Sequence, residues 1–129
     1  MSSEENKAVV RRFVDEVFVQ HDSSNIEELV SNESLRQMAP GTVQAFPDIE
    51  MTVEHLIAEG DIVAVRVSAA GTHKGEFRGI PATGRRWEAT ASAWYEVQDG
   101  KISDFWVNWD WLAIMEAIGA VQRVDPSSN

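Results

Sequence analysis

The stretch RRWEATASAWYEVQDGKISDFWVNWD, residues 85–110, decides the fold. Asp99-Gly100, set between two runs rich in aromatic and β-branched residues, is a strong hairpin signal, because a two-residue turn of this type matches the twist of paired strands. The reading predicts strands over Arg85 to Val97 and Lys101 to Asp110. Side chains alternate along a strand, so Trp106, Asn108 and Asp110 share one face of the second, and Phe105, Val107, Trp109 and Trp111 share the other. Both faces are largely apolar. The second lies under other elements or is an outer surface that a second copy of the chain covers, and homodimerisation through the sheet is the simpler expectation.

Toward the N-terminus, the segment His73 to Gly84 is rich in Gly and Pro and reads as a loop between strands. Before it, Ile62 to Thr72 is a β-branched strand, joined through the turn Glu59-Gly60-Asp61 to an alternating run that starts at Ile49. In that run Met51, Val53, His55 and Ile57 fall on one face, and Thr52, Glu54, Leu56 and Ala58 on the other. His55 is therefore expected as a hydrogen-bonded imidazole of the core.

The first third is helical. Ser2 or Ser3 caps a helix whose stripe is Val9, Val10, Phe13, Val14, Val17 and Phe18, while Lys7, Arg11, Arg12, Asp15 and Glu16 read as its solvated face. After the turn His21 to Asn25 comes a short helix around Ile26, Leu29 and Val30. A third, Ser34 to Gln44, is expected to be interrupted by Pro40-Gly41 and to end at Phe46-Pro47-Asp48. Beyond the hairpin, Leu112, Met115 and Ile118 recur at helical spacing, with Gly119 as a stop before the polar tail Asp125 to Asn129.

Helices followed by a meander of antiparallel strands give an α+β domain, with the helices packed on one face of a curved sheet. The 129 residues suit a single domain, 1–129. A formal charge of -10 repels phosphate backbones and anionic membranes, so no nucleic-acid and no membrane partner is expected. Cysteine is absent, which removes disulfide, thiolate and sulfur-ligated metal chemistry. The N-terminus is acidic and polar where a signal peptide is basic and then apolar, and a cytoplasmic location is the expectation.

For chemistry, Asp110 stands out. Indole rings flank it at a strand end, and desolvation by such neighbours raises a carboxyl pKa toward the range useful for proton transfer. The alternative is that Asp110 caps the terminal helix. His21, His55 and His73 do not fall at metal-ligand spacings, so no metal is expected. His21 sits in a polar turn, whereas His73 closes a strand where a side chain can reach a cavity mouth. No serine lies in a nucleophile elbow, and the glycines of the loop do not follow a strand and open a helix as a phosphate loop must.

The run from Phe46 to Ala120 resembles the SnoaL-like polyketide cyclases, within the nuclear transport factor 2-like superfamily. The motifs FPD, AEGD, GTHKGEFRGIPATGRR, DGKI and the strand end W-x-N-x-D stand in family order. The resemblance implies a cone of curved sheet and N-terminal helices around an apolar pocket, usually dimeric. It implies an Asp in the last strand, here Asp110, as general acid-base for an intramolecular aldol closure without cofactor or metal. Trp106, Asn108 and Trp94 would line the pocket, and His73 and Arg85 would stand near its mouth. Asn108, His73 and, less directly, Arg85 are the candidate donors to an enolate. Family members carry a His-bearing strand before FPD, and Ser31 to Gln44 is too short to hold it.

Two functions follow as expectations. One is a cofactor-free acid-base enzyme acting on an apolar carbonyl compound by aldol cyclisation or isomerisation; the other is a dimeric binding or scaffolding protein with an incomplete site.

Overall fold

The computed structural model describes residues 2–122 and 124. Helix α1, Ser3–Val14, begins with a reciprocal cap: the Glu5 amide donates to the Ser2 hydroxyl, and the Glu5 carboxylate accepts from the Ser2 amide. Val10, Phe13 and Val14 form its buried stripe. The helix then loosens into a π-helical turn, Asp15–Val19, which keeps Val17 and Phe18 both buried. After α2, Ile26–Leu29, comes α3, Glu33–Ala45, capped by the Asn32 side chain on the Leu35 amide. Pro40 was expected to break this helix. It runs through instead, because a proline forfeits one amide bond while Leu35, Ala39 and Ala45 remain buried on one side.

Strands β1, Glu50–Glu59, β2, Ile62–Thr72, β3, Arg86–Gln98, and β4, Lys101–Trp109, form an antiparallel meander in the order β1-β2-β3-β4. The turns between β1 and β2 and between β3 and β4 carry left-handed residues, Gly60 at φ 59° and Asp99-Gly100 at 52° and 76°. The central strands alternate strictly, burying Val63, Val65, Val67 and Ala69 in β2 and Trp87, Ala89, Ala91, Ala93, Tyr95 and Val97 in β3.

The edge strands do not. Register slips between Val53 and His55 in β1 and at Glu96/Val97, opposite Ser103, in β4. Each bulge inserts one residue and reverses which parity faces inward. The core face of β1 is thus Met51 and Val53, then Leu56 and Ala58. His55, expected in the core, is turned to solvent by the bulge, and Ile57 is 66% exposed. In β4 the inward set is Ile102, then Phe105, Val107 and Trp109.

Helices α1 to α3 close the inward face of the curved sheet into a cone. The Asn6 side-chain amide donates to the Gly60 carbonyl at 3.1 Å and fixes α1 to the first hairpin. Between α2 and β1 the described residues hold one isolated bridge, Val30 with Ile102, and no strand. Helix α4, Trp111–Ala117, covers the remaining end, where Ile114 and Ile118 join Phe46, Ile49 and Trp87 in a second cluster. Gly119 at φ 82° ends it, as the sequence suggested; the tail Asp125 to Asn129 lies outside the described residues.

Candidate functional site

The cone opens between α3, the loop 73–85 and β4, in a mouth of about 400 Å³ walled by Met38, Thr42, Phe77, Arg78, Phe105 and Trp109. Met38, Thr42, Val107 and Trp109 also wall a narrow throat of about 40 Å³ that reaches Tyr95. Phe77, Trp109 and Trp111 continue into a side chamber of about 20 Å³ against Trp87. Five rings surround that chamber in a closed circuit. Phe46 to Phe77 is 4.9 Å between centroids, Phe77 to Trp111 5.6 Å, Trp111 to Trp109 6.2 Å, Trp109 to Trp87 6.0 Å and Trp87 to Phe46 4.9 Å. Tilted and edge-on pairs at these distances make a stiff apolar wall.

Few polar groups enter this space. Tyr95 is 5% exposed, its ring sits edge-on to Phe13, and its hydroxyl makes no hydrogen bond among the described residues. Burial pushes the Tyr95 phenol up, so at neutral pH it is a protonated donor. The Trp87 indole N–H is likewise buried and unpartnered. Thr42 donates its hydroxyl to the Met38 carbonyl at 3.0 Å, which leaves its oxygen free to accept. Glu76, at the mouth, is the one carboxylate lining the three chambers among the described residues. Arg78 stacks its guanidinium on Trp111 in the same wall.

The residues chosen from sequence lie elsewhere. Asp110 caps α4: its Oδ1 accepts the Ala113 amide at 3.1 Å, and it is exposed, beside an open outward groove of about 570 Å³ that Arg86, Glu88 and Thr90 also line. Trp94, Trp106 and Asn108 do not line the cone. They project from the outward face, where Trp94 stands opposite Trp106 in the register of β3 and β4. Phe105, Val107 and Trp109 take the inward face of β4 because burying three large apolar side chains outweighs burying one indole with an amide and a carboxylate.

His73 was expected at the mouth. It is fully buried behind Phe46, where the Thr83 amide donates to its Nδ1 at 3.3 Å and the Thr83 hydroxyl stands 3.0 Å from the same nitrogen. That bond leaves the ring proton on Nε2, which has no partner. Its role is to close the loop. Arg85 is exposed, and its guanidinium lies against Gly119, outside the chambers. His21 is exposed as expected, although its Nε2 stands 2.8 Å from the Ile49 carbonyl oxygen.

Sequence reasoning passed over Tyr95, Thr42, Glu76 and Arg78. One signal was available for Tyr95: strict alternation in β3 puts it in line with Ala91 and Ala93, and small residues beside a phenol leave a hollow in front of it. Among the described residues no group of His, Asp and Glu is placed to hold a metal ion, and no helix is long and apolar enough to cross a membrane.

Comparison with known proteins supports the same architecture. No curated protein matches the sequence. Among solved structures, a chain assigned as a SnoaL-like polyketide cyclase from Jannaschia sp. CCS1 is 26% identical at a TM-score of 0.82, over 93% of this chain and 95% of its own. AclR from Streptomyces galilaeus, assigned as a hydroxylase, is 27% identical at 0.80, over 97% and 87%. IdmH from Streptomyces antibioticus, assigned as a polyketide cyclase, is 27% identical at 0.68, over 88% and 98%. The reactions assigned to these neighbours differ, so the likeness carries fold and family. The family model of SnoaL-like polyketide cyclases matches residues 2–118, nearly the whole chain, and the chain belongs to that family.

Proposed function

We propose that the protein takes an apolar carbonyl compound into the cone and promotes its aldol-type ring closure or isomerisation without a cofactor. The observation that carries this reading is Tyr95, an unpartnered, protonated hydroxyl at the end of an apolar throat. A hydroxyl so placed donates to a carbonyl oxygen and stabilises the negative charge that develops on it when that carbonyl is attacked. Glu76, the carboxylate at the mouth, is the base that takes a proton from a carbon of the same molecule that lies there. The carbanion then attacks a second carbonyl of the same molecule, one C–C bond forms, and the new alkoxide takes up a proton.

The position of Asp110 favours a second reading, binding without turnover. Its carboxylate faces outward and holds a helix cap, so the cone lacks the acid-base group expected there. The outward face also supports a homodimer, through the exposed indoles of Trp94 and Trp106.

The test is turnover of linear poly-β-ketone esters, followed by mass spectrometry and absorbance, in four proteins. Tyr95→Phe removes a hydroxyl that makes no hydrogen bond within the protein, so it should fold about as stably as the parent, yet cyclise about 100-fold more slowly. Glu76→Gln should lose activity to a similar extent. Asp110→Asn keeps the cap, because asparagine caps as well as aspartate, and should keep activity. Loss of turnover in Asp110→Asn alone would return the catalytic role to Asp110. Ligand binding with no turnover in the parent would establish the second reading.

A further inference from the structure

We infer that Arg78 is an anion-recognition residue at the mouth, and that the compound taken into the cone carries a carboxylate beside its apolar body. This rests on the cone being the ligand site.

Arg78 occupies an unusual backbone position. Phe77 and Ile80 exchange both backbone hydrogen bonds, at 3.0 and 2.8 Å, around a two-residue turn in which Arg78 has φ 52° and Gly79 φ 78°. Such a turn ordinarily takes glycine or asparagine at its first central position, because a side chain with a Cβ is strained there. Backbone preference therefore does not account for the arginine, and its side chain must.

That side chain is held in place but not neutralised. Its guanidinium carbon lies 3.9 Å from the Trp111 ring centroid and 5.8 Å from that of Phe77. Like most of the described basic residues Arg78 forms no ion pair, and its contacts are these two aromatic rings. A guanidinium that lies over an indole and makes no hydrogen bond of its own keeps its N–H groups free, in the fork that fits a carboxylate. Glu76 lines the same mouth without bonding to Arg78. An anion is thus repelled by Glu76 and by the formal charge of -10 unless its geometry brings it onto Arg78. The apolar body of the ligand would then point inward, toward Thr42 and Tyr95.

The probes are 2-naphthoate and its methyl ester, titrated calorimetrically into the whole chain. The parent should bind the carboxylate more tightly than the ester. Arg78→Gln should weaken the carboxylate about tenfold and change the ester less than twofold, while Arg78→Lys, which keeps the charge but loses the fork and the stacking, should recover only part of the carboxylate affinity. Arg78→Gly, which relieves the strained backbone, should raise Tm and still lose the same affinity; this separates recognition from a purely structural role. Equal carboxylate affinity in the parent and in Arg78→Gln overturns the inference. Continued ester binding in that case leaves the cone as the ligand site. If neither probe binds the parent, both readings fall.

Discussion

Asp48 accepts two hydrogen bonds, from the Thr72 amide and the Thr72 hydroxyl, each at 2.7 Å, and so ties the entry of β1 to the end of β2. These bonds favour the ionised carboxylate and hold its pKa below the ordinary value. A carboxyl lowered in the folded state adds stability above its unfolded pKa of about 3.9, and that contribution is lost as pH falls through the lower folded value. Asp48→Asn is therefore expected to lower Tm at neutral pH and to converge with the parent under strong acid. Thermal melts across the acid range check this, and a constant offset at every pH would mean that the carboxylate's charge plays no part. In the sequence this aspartate reads as part of a helix stop and of the FPD motif, but not as a tie to Thr72, because that partner lies 24 positions away and nothing local announces it.

The elements around the mouth depend on one close approach. The amides of Lys74 and Gly75 both donate to the Ala45 carbonyl, at 3.1 and 3.0 Å, which staples the loop 73–85 to the end of α3. A Cβ at Gly75 would lie 2.7 Å from the Gln44 carbonyl oxygen. Backbone cannot yield as a flexible side chain does, so Gly75→Ala is expected to cost about 1–3 kcal/mol and to lower Tm by at least a few degrees. An unchanged Tm would show that the staple is dispensable. The helices, apart from the unbroken run of α3 through Pro40, the two hairpins and the stop at Gly119 were legible in the sequence because each has a local cause: a cap, a two-residue turn, a period of side chains. The bulges in β1 and β4 were not, since an inserted residue leaves the composition of a strand intact and changes only what it faces. That explains why His55 was placed in the core. Trp94, Trp106 and Asn108 were put in the pocket by the family resemblance, and periodicity, which separated the two faces of β4 correctly, does not say which one the helices cover.

At the scale of the molecule, the outward face has a register that periodicity could not assign. Ile57, Ala64, Trp94 and Trp106 stand in one row across all four strands, with Ile57 66%, Trp94 50% and Trp106 49% exposed. On one side of it runs an acidic row that includes Glu59, Glu96 and Asp104, and on the other a row of His55, Arg66, Ser92 and Asn108. Large apolar side chains left in water across a whole sheet favour a second copy, and a two-fold interface meets itself with the same patch. An axis along the indole row sets the acidic row of one copy against the Arg66 row of the other, whereas an axis along the strands sets acid against acid; charge selects the first. Light scattering behind a sizing column should accordingly find a dimer in the micromolar range. Trp106→Glu should give a folded monomer with an unchanged far-ultraviolet spectrum, and Arg66→Glu a weakened dimer that added salt partly restores. A parent protein that remains monomeric at the highest concentration would refute this arrangement and leave the indole row as exposed surface. Because the row lies on the face opposite the cone, the Trp106→Glu monomer is also expected to keep the carboxylate affinity that Arg78 confers.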